Sequence, residues 1–315
     1  MKSVSIILLF SFTVFKTIGQ VKWKNVDSEF GPLPKGIHVF YDDDSLNEKA
    51  FRAFYAEADL NNKKLLFESD TTLNRRLTPQ QFFDKNNKPL LVVNTTFFSF
   101  STNQSLNLVV KDGKMVGFNV HSIAGKGKDS LTYRHAFNGA LGISKKRKAD
   151  IAWIYSDSSA KYPLASQKAI PFFKDSLNSI EKPKTKLELW QMKTAVAGGP
   201  VLVQDGNIAI SNNEELKFTG KAINDKHPRT LIGYTKANKL IVMVVEGRNP
   251  GVAAGATLTE AAQLMKDVGC VEALNLDGGG SSSMLINGKE TIWPSDKGKQ
   301  RPVPAVLIIK KNDAQ

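Results

Sequence analysis

Cysteine is nearly absent from this 315-residue sequence: the only one is Cys270. A single thiol closes no disulfide within the chain, so the fold must be held by its core rather than by covalent staples. Long apolar runs are equally scarce. The one at the N-terminus is interrupted by Lys16 and too short for a membrane anchor, so no stable membrane insertion is expected. No repeat at a solenoid period recurs along the chain. No recognised nucleic-acid motif organises the lysines, so nucleic acid is not expected as a partner. No cofactor is expected. A divalent cation could assist an anionic ligand, but no clear ligand set is visible. Asp42-Asp43-Asp44 lacks the spacing of a calcium loop and reads as a solvated turn.

What is present is hydrophobic content of 41%, enough for a substantial core, and a formal charge of +13. "MKSVSIILLFSFTVFKTIGQ" carries an early lysine, an apolar stretch, and Thr17 and Gly19 spaced for cleavage before Gln20. It reads as a signal peptide over residues 1–19. Export follows as an expectation, to a bacterial periplasm or the exterior, since disulfide-free secreted chains suit that setting. Losing Lys2 and Lys16 with the leader reduces the positive excess by only two, which keeps an anionic partner in view. The cluster Lys145 to Lys148 reads as the solvated tip of a hairpin. Asn94-Thr95-Thr96 spells a glycosylation sequon, an accidental match if Asn94 is buried in a bacterial protein.

Turn chemistry predicts short strands. Asp112-Gly113, Asp205-Gly206 and Asn287-Gly288 each lie between apolar runs, and a further hairpin turns around Ala237-Asn238. Thr257 and Glu260 form a capping box that opens a helix ended by Gly269. Thr78-Pro79 opens a second helix over "QQFFDK". The stretch from Ser156 to Thr185 has no period and reads as an irregular excursion. The fold class implied is α+β: a mixed, mainly antiparallel β-sheet core with a few helices, in a single domain over residues 20–315.

The chemistry concentrates in a few stretches. "NLDGGGSSSM" places Asp277 and three glycines after an apolar strand. No dinucleotide fingerprint, P-loop lysine or G-x-S-x-G elbow accompanies them. What is left is a strand-end loop, Gly278 to Ser282, whose N–H groups face an anion beside a carboxylate. In "HPRT", the proline keeps His227 extended and sends Arg229 and Thr230 into a stiff strand, where a guanidinium can clamp a phosphate or carboxylate. "VVEGRNPG" ends a strand with Glu246 and Arg248. Gly199, before Pro200, marks a close backbone approach, and Asn94 ends a buried strand.

Together "VVNTTFF", "GGPVLVQDG", "HPRTLIGY", "EGR", "TLTEAAQLMKDVGCVEALNLDGGGSSSM" and "RPVPAVLII" resemble the phosphodiester glycosidase family. The resemblance is strongest over residues 198–309 and thinner from Phe51 to Asn94. It implies hydrolysis of the bond between a sugar's anomeric carbon and a phosphodiester oxygen, with a phosphorylated sugar or glycan as partner. Asp277, Glu246, His227 and Arg229 are the candidate catalytic residues. Asn94, Gly199, Thr230, Arg248, Gly278, Gly279, Gly280, Ser281, Ser282 and Arg301 are the candidate substrate contacts. The family usually carries Asp-Gly-Arg where this chain has Glu246-Gly247-Arg248, so substrate or rate could differ. The competing reading is a non-catalytic module that binds anionic glycans.

Overall fold

Left-handed turn residues set the architecture, and all four expected hairpins are present. In the computed structural model, which describes residues 21–125, 132–176, 179–180 and 185–312, the leader of residues 1–19 lies outside the described residues. Asp112 and Gly113 have φ of 48° and 77°, and Asn287 and Gly288 have 49° and 80°. Two successive positive φ values are what a two-residue hairpin loop requires, which is why Asp-Gly and Asn-Gly occur there.

Every strand pairing among the described residues is antiparallel, so the expectation of a mixed sheet is corrected. The physical reason lies in the connections: parallel pairs need long crossovers, whereas many of these strands are joined by tight turns. The largest sheet has eight strands, with Ala53–Asp59, Lys239–Val245, Arg229–Thr235, Cys270–Asn275 and Val201–Gln204 adjacent in that order. A five-stranded sheet contains Met284–Ile286, Leu91–Asn94 and Ala305–Lys311, and a seven-stranded sheet is centred on Asn138–Ile143 and its neighbours.

The large sheet buries both faces. Val242 and Val244 join the main core with Ile37, Val39, Leu91 and Leu307, while Ile241, Met243 and Val245 face the other way. The helix Leu258–Asp267 covers that second face with Leu258, Ala261, Ala262, Leu264 and Met265. Each large side chain so buried contributes roughly 1.5–3 kcal/mol before entropy is counted. The helix begins with the expected capping box, Thr257 and Glu260 bonding reciprocally. The helix Pro79–Lys85 starts at its expected proline and has a capping box of its own, from Thr78 and Gln81.

Three sequence expectations need correction. The stretch from Ser156 to Thr185 is partly regular: Leu164–Ser166 pairs with Ala149–Tyr155, and Phe173–Ser176 pairs with Tyr133–His135. The basic cluster is a hairpin tip, but Arg147 is not solvated there. Its guanidinium donates to the carbonyls of Leu60, Asn62 and Leu65, closing the neighbouring turn. Asp42 is 2% exposed and accepts from the N–H groups of Lys22 and Asp44, so it is a buried turn anchor. Among the described residues no helix is long and apolar enough to cross a membrane.

Candidate active site

The register of the large sheet brings its chemistry to one end. Arg229 pairs with Val245 and Leu231 with Asn275, so the segments before Arg229, after Val245 and after Asn275 leave the sheet side by side. The loop Asp277–Ser283 is not a hairpin turn within one sheet. It leaves the eight-stranded sheet and enters the five-stranded one at Met284.

A cavity of about 220 Å³ opens here. Asp277, His227, Arg229, Arg248, Arg301 and Gly278 to Gly280 line it together with Phe97, Phe218 and Ala222. The size falls below the roughly 300 Å³ at the low end of drug-sized pockets, and suits a group of monosaccharide scale. Among the described residues no cluster of three or more His, Cys, Asp or Glu side chains is placed to hold a metal.

The cations are held in different ways. Arg229 is 2% exposed; its Nε donates to Ala256 O at 2.9 Å and Nη2 to Asp225 O at 3.3 Å, so backbone carbonyls fix the fork. Burial, with Arg248 adding to it, pushes its pKa down to about 10, still fully charged at neutrality. Arg248 has φ of 59° and lies 3.3 Å from His227 Nδ1 through Nη2. Arg301 donates from Nε to Asp296 at 2.9 Å and stands over the Phe100 ring at 5.5 Å. Burial and the two arginine charges hold His227 below the usual histidine value, so it is neutral at pH 7 and able to accept from Arg248.

Two of the three glycines now have a specific reason, which differs from the expected one. A Cβ at Gly279 would lie 3.2 Å from Arg248 Nη2, and one at Gly280 would strike the Arg301 guanidinium. The loop is bare so that two guanidiniums can lie across it. Its N–H groups are largely spent internally: Gly279 N–H donates to Pro228 O at 2.8 Å, and those of Ser281 and Ser282 close a short 3₁₀ turn. Side chains, more than backbone, supply the positive face.

Among the described residues, Asp277 is the one carboxylate on the cavity wall. Burial pushes its pKa up to about 7, opposed by the Ser281 hydroxyl, the Arg301 charge and the Gly278 N–H. Its backbone is clamped by the end of the Leu91–Asn94 strand. Asp277 N–H donates to Thr95 O at 2.8 Å, and Asn94 Nδ2 donates to Asp277 O at 2.6 Å. Asn94 Oδ1 in turn accepts from Thr230 Oγ1 and Ser283 N–H.

Asn94 and Thr230 therefore stand behind the loop rather than on the cavity wall, and Ser281 and Ser282 are 1% exposed. Gly199 also lies off the wall. Glu246 does not join the cavity: it is 1% exposed, and its carboxylate accepts from Asn249 Nδ2 at 2.8 Å and Trp293 N–H at 3.0 Å, with Arg52 at 3.7 Å. The longer side chain at this position reaches an internal anchor, not the ligand space. Phe97 and Phe218 were missed as wall residues. Phe97 lies inside a quoted motif, whereas Phe218 is a single aromatic in a polar stretch with no pattern to flag it.

A sequence model of the phosphodiester glycosidase family matches residues 87–310, more than half of the chain. The chain belongs to that family. Among individual relatives, N-acetylglucosamine-1-phosphodiester alpha-N-acetylglucosaminidase of Mus musculus is 33% identical over 103 residues, covering 30% of this chain and 20% of the mouse protein. An SPbeta prophage-derived protein of Bacillus subtilis is 37% identical over 91 residues, covering 29% of this chain and 14% of that protein. The chain thus spans only about a fifth or less of the length of these family relatives. The fold is shared with the zebrafish enzyme's catalytic domain, described as auto-inhibited by its pro-peptide. The TM-score is 0.61 at 22% identity, with 90% of this chain and 85% of that chain covered. A Synechocystis protein gives the same TM-score at 15% identity, over 93% of this chain and 64% of its own.

Proposed function

We propose that this chain hydrolyses the bond between the anomeric carbon of a sugar and a phosphodiester oxygen, in exported or envelope glycans. The observation that carries the reading is the convergence of Asp277 with Arg229, Arg248 and Arg301 on one small cavity. A single carboxylate among arginines suits this bond. The C–O bond at the anomeric carbon breaks with its electron pair going to the phosphate oxygen, while water supplies the new hydroxyl. The leaving phosphate monoester has a second pKa near about 6, so it departs without the general acid that a sugar alkoxide needs. The negative charge on the phosphate grows from one to nearly two as the bond breaks. Arg248 and Arg301, open to the cavity, bind that growing charge better than the starting diester.

Asp277 then serves the sugar side. With its pKa raised to about 7, Asp277 is poised near neutral pH, where its carboxylate form stabilises the oxocarbenium-like carbon and takes a proton from the attacking water. His227 orients Arg248. The names of the mouse and zebrafish relatives make N-acetylglucosamine the first sugar to try. The leader expected over residues 1–19 supports an activity in the periplasm or outside the cell.

Incubating the purified full chain with a chromogenic N-acetylglucosamine-1-phosphodiester tests the reading. Release of free sugar and phosphate monoester is the expected result. Saturable binding without release would overturn catalysis and leave a glycan-binding module.

A further inference from the structure

The cavity also has an aromatic wall. Phe97 and Phe218 meet edge to face with centroids 6.2 Å apart. Arg229 lies over Phe218 at 5.6 Å, and Lys217 Nζ lies over Phe97 at 5.1 Å. The wall is a row of cation, ring, ring and cation. Asn212 pins the segment in place: its Oδ1 accepts from Phe218 N–H at 2.9 Å and its Nδ2 donates to Phe218 O at 2.8 Å.

The Lys217 end of the row is founded on a buried carboxylate. Glu215 is 1% exposed and accepts from Gly139 N–H and Val201 N–H at 2.8 Å each, from Ser211 Oγ at 2.6 Å and from Trp153 Nε1 at 3.2 Å. All four donors are neutral; burial raises the Glu215 pKa, and the Lys217 charge is the main influence against that rise. The Lys217 ammonium thus favours the ionised form of Glu215, which couples the two residues. Burial pushes the Lys217 pKa down to about 8 and Glu215 opposes the fall, which leaves the ammonium mostly charged at neutrality. Gly199 makes room for both. Its φ is 122°, and a Cβ there would strike the Glu215 carboxylate and lie 2.5 Å from Lys217 Cε. The glycine marked in the sequence as a close approach therefore admits this pair rather than the substrate.

We propose that Lys217, anchored by Glu215, is a positioning residue for the sugar side of the cavity: it holds Phe97 against Phe218 so that the rings receive the apolar face of a pyranose. Phe97, not the ammonium, forms the cavity surface, so Lys217 acts through the ring. Flat aromatic faces give a large apolar contact at low entropy cost, which a sugar's C–H face can use. The inference rests on the glycosidase reading above.

The test separates the sugar side from the phosphate side. Hydrolysis of a sugar-1-phosphodiester by the full chain is measured with inorganic phosphate as competing anion, for wild type, Lys217→Met and Lys217→Arg. Lys217→Met should lower kcat/KM about tenfold while the phosphate inhibition constant stays within about twofold, and Lys217→Arg should regain most of the loss. A general collapse of the site would weaken both readouts together, and that result overturns the proposal, as does unchanged kinetics in Lys217→Met. Should Lys217→Met fail to fold, Phe97→Leu must show the same split, and loss of phosphate inhibition in that variant overturns the proposal instead. A wild-type protein that hydrolyses no sugar phosphodiester would defeat the glycosidase reading and this one with it. An active wild type matched by Lys217→Met would defeat only the role of Lys217.

Discussion

Asp277 and Glu246 look alike in sequence, and the fold treats them oppositely. Each follows an apolar strand and each precedes glycine. Yet Asp277 lines the cavity among Arg229, Arg248 and Arg301, while Glu246 turns inward to Asn249, Trp293 and Arg52. The difference shows that a strand-end carboxylate becomes available for chemistry when the fold leaves its hydrogen-bond capacity unfilled. Glu246 is filled, and its work is to hold the turn from which Arg248 projects. The family's aspartate at this position would be one methylene short of that anchor, so the departure concerns the support of Arg248 more than contact with substrate.

Removing the charge at each position breaks the comparison most directly. Asp277→Asn keeps size and should lower kcat by about 10³-fold, since on the proposed mechanism it removes the carboxylate that faces the anomeric carbon. A loss under tenfold, measured on the same sugar phosphodiester, would take Asp277 out of the reaction. Glu246→Ala should behave in reverse. It strands the Trp293 N–H, the Asn249 amide and the Arg52 charge, at a cost of about 2–3 kcal/mol in stability by urea unfolding. Activity per folded molecule should fall less than tenfold, and a 10³-fold fall would make the two carboxylates equivalents after all.

Much of this site was legible because its signals are local. Asp277, the glycine run, the "HPRT" arginine and the Glu-Gly-Arg turn each depend on backbone rules that act over a few residues, and eight of the candidates do line the cavity. The hairpins were legible for the same reason: a positive φ selects Asn, Asp or Gly wherever it occurs. The direction of Glu246 was not, because it depends on Trp293, far along the chain, offering an N–H in the right place. Nor was the reason for the glycines, since no sequence rule says that two guanidiniums will lie across Gly279 and Gly280. Asn94 was read as a contact and proves to be a rivet between sheets, a role that only the meeting of Thr230, Ser283 and Asp277 reveals.

Arg248 sharpens the contrast from the cation side. It is exposed at the cavity mouth, unlike Arg229, which is fixed to backbone carbonyls. Arg248→Lys keeps the charge and loses the planar fork, so kcat/KM should fall about tenfold with little change in melting temperature. Arg229→Lys should instead lower the melting temperature, because Lys cannot reach both Ala256 O and Asp225 O. Equal thermal effects of the two changes would remove the distinction between a substrate arginine and a scaffold arginine.

The smallest effect concerns stability against pH, and its sign follows from the Asp277 pKa. That value is raised from 3.8 to about 7 in the fold. Between those two pH values the folded state keeps a proton that the unfolded chain has released, so wild-type stability declines as pH rises through the window and levels off above it. Asp277→Asn has nothing to lose there. The difference in melting temperature, variant minus wild type, should therefore be smallest at pH 4, widen up to pH 7 and stay constant at pH 8. The full shift would correspond to about 4 kcal/mol. Asp277 is only partly buried, so solvent in the open cavity screens most of it, leaving on the order of 1 kcal/mol, or a few degrees. A flat difference for Asp277→Asn would mean that its carboxylate is as well solvated as any on the surface, and the case for a poised group at the anomeric carbon would fail with it.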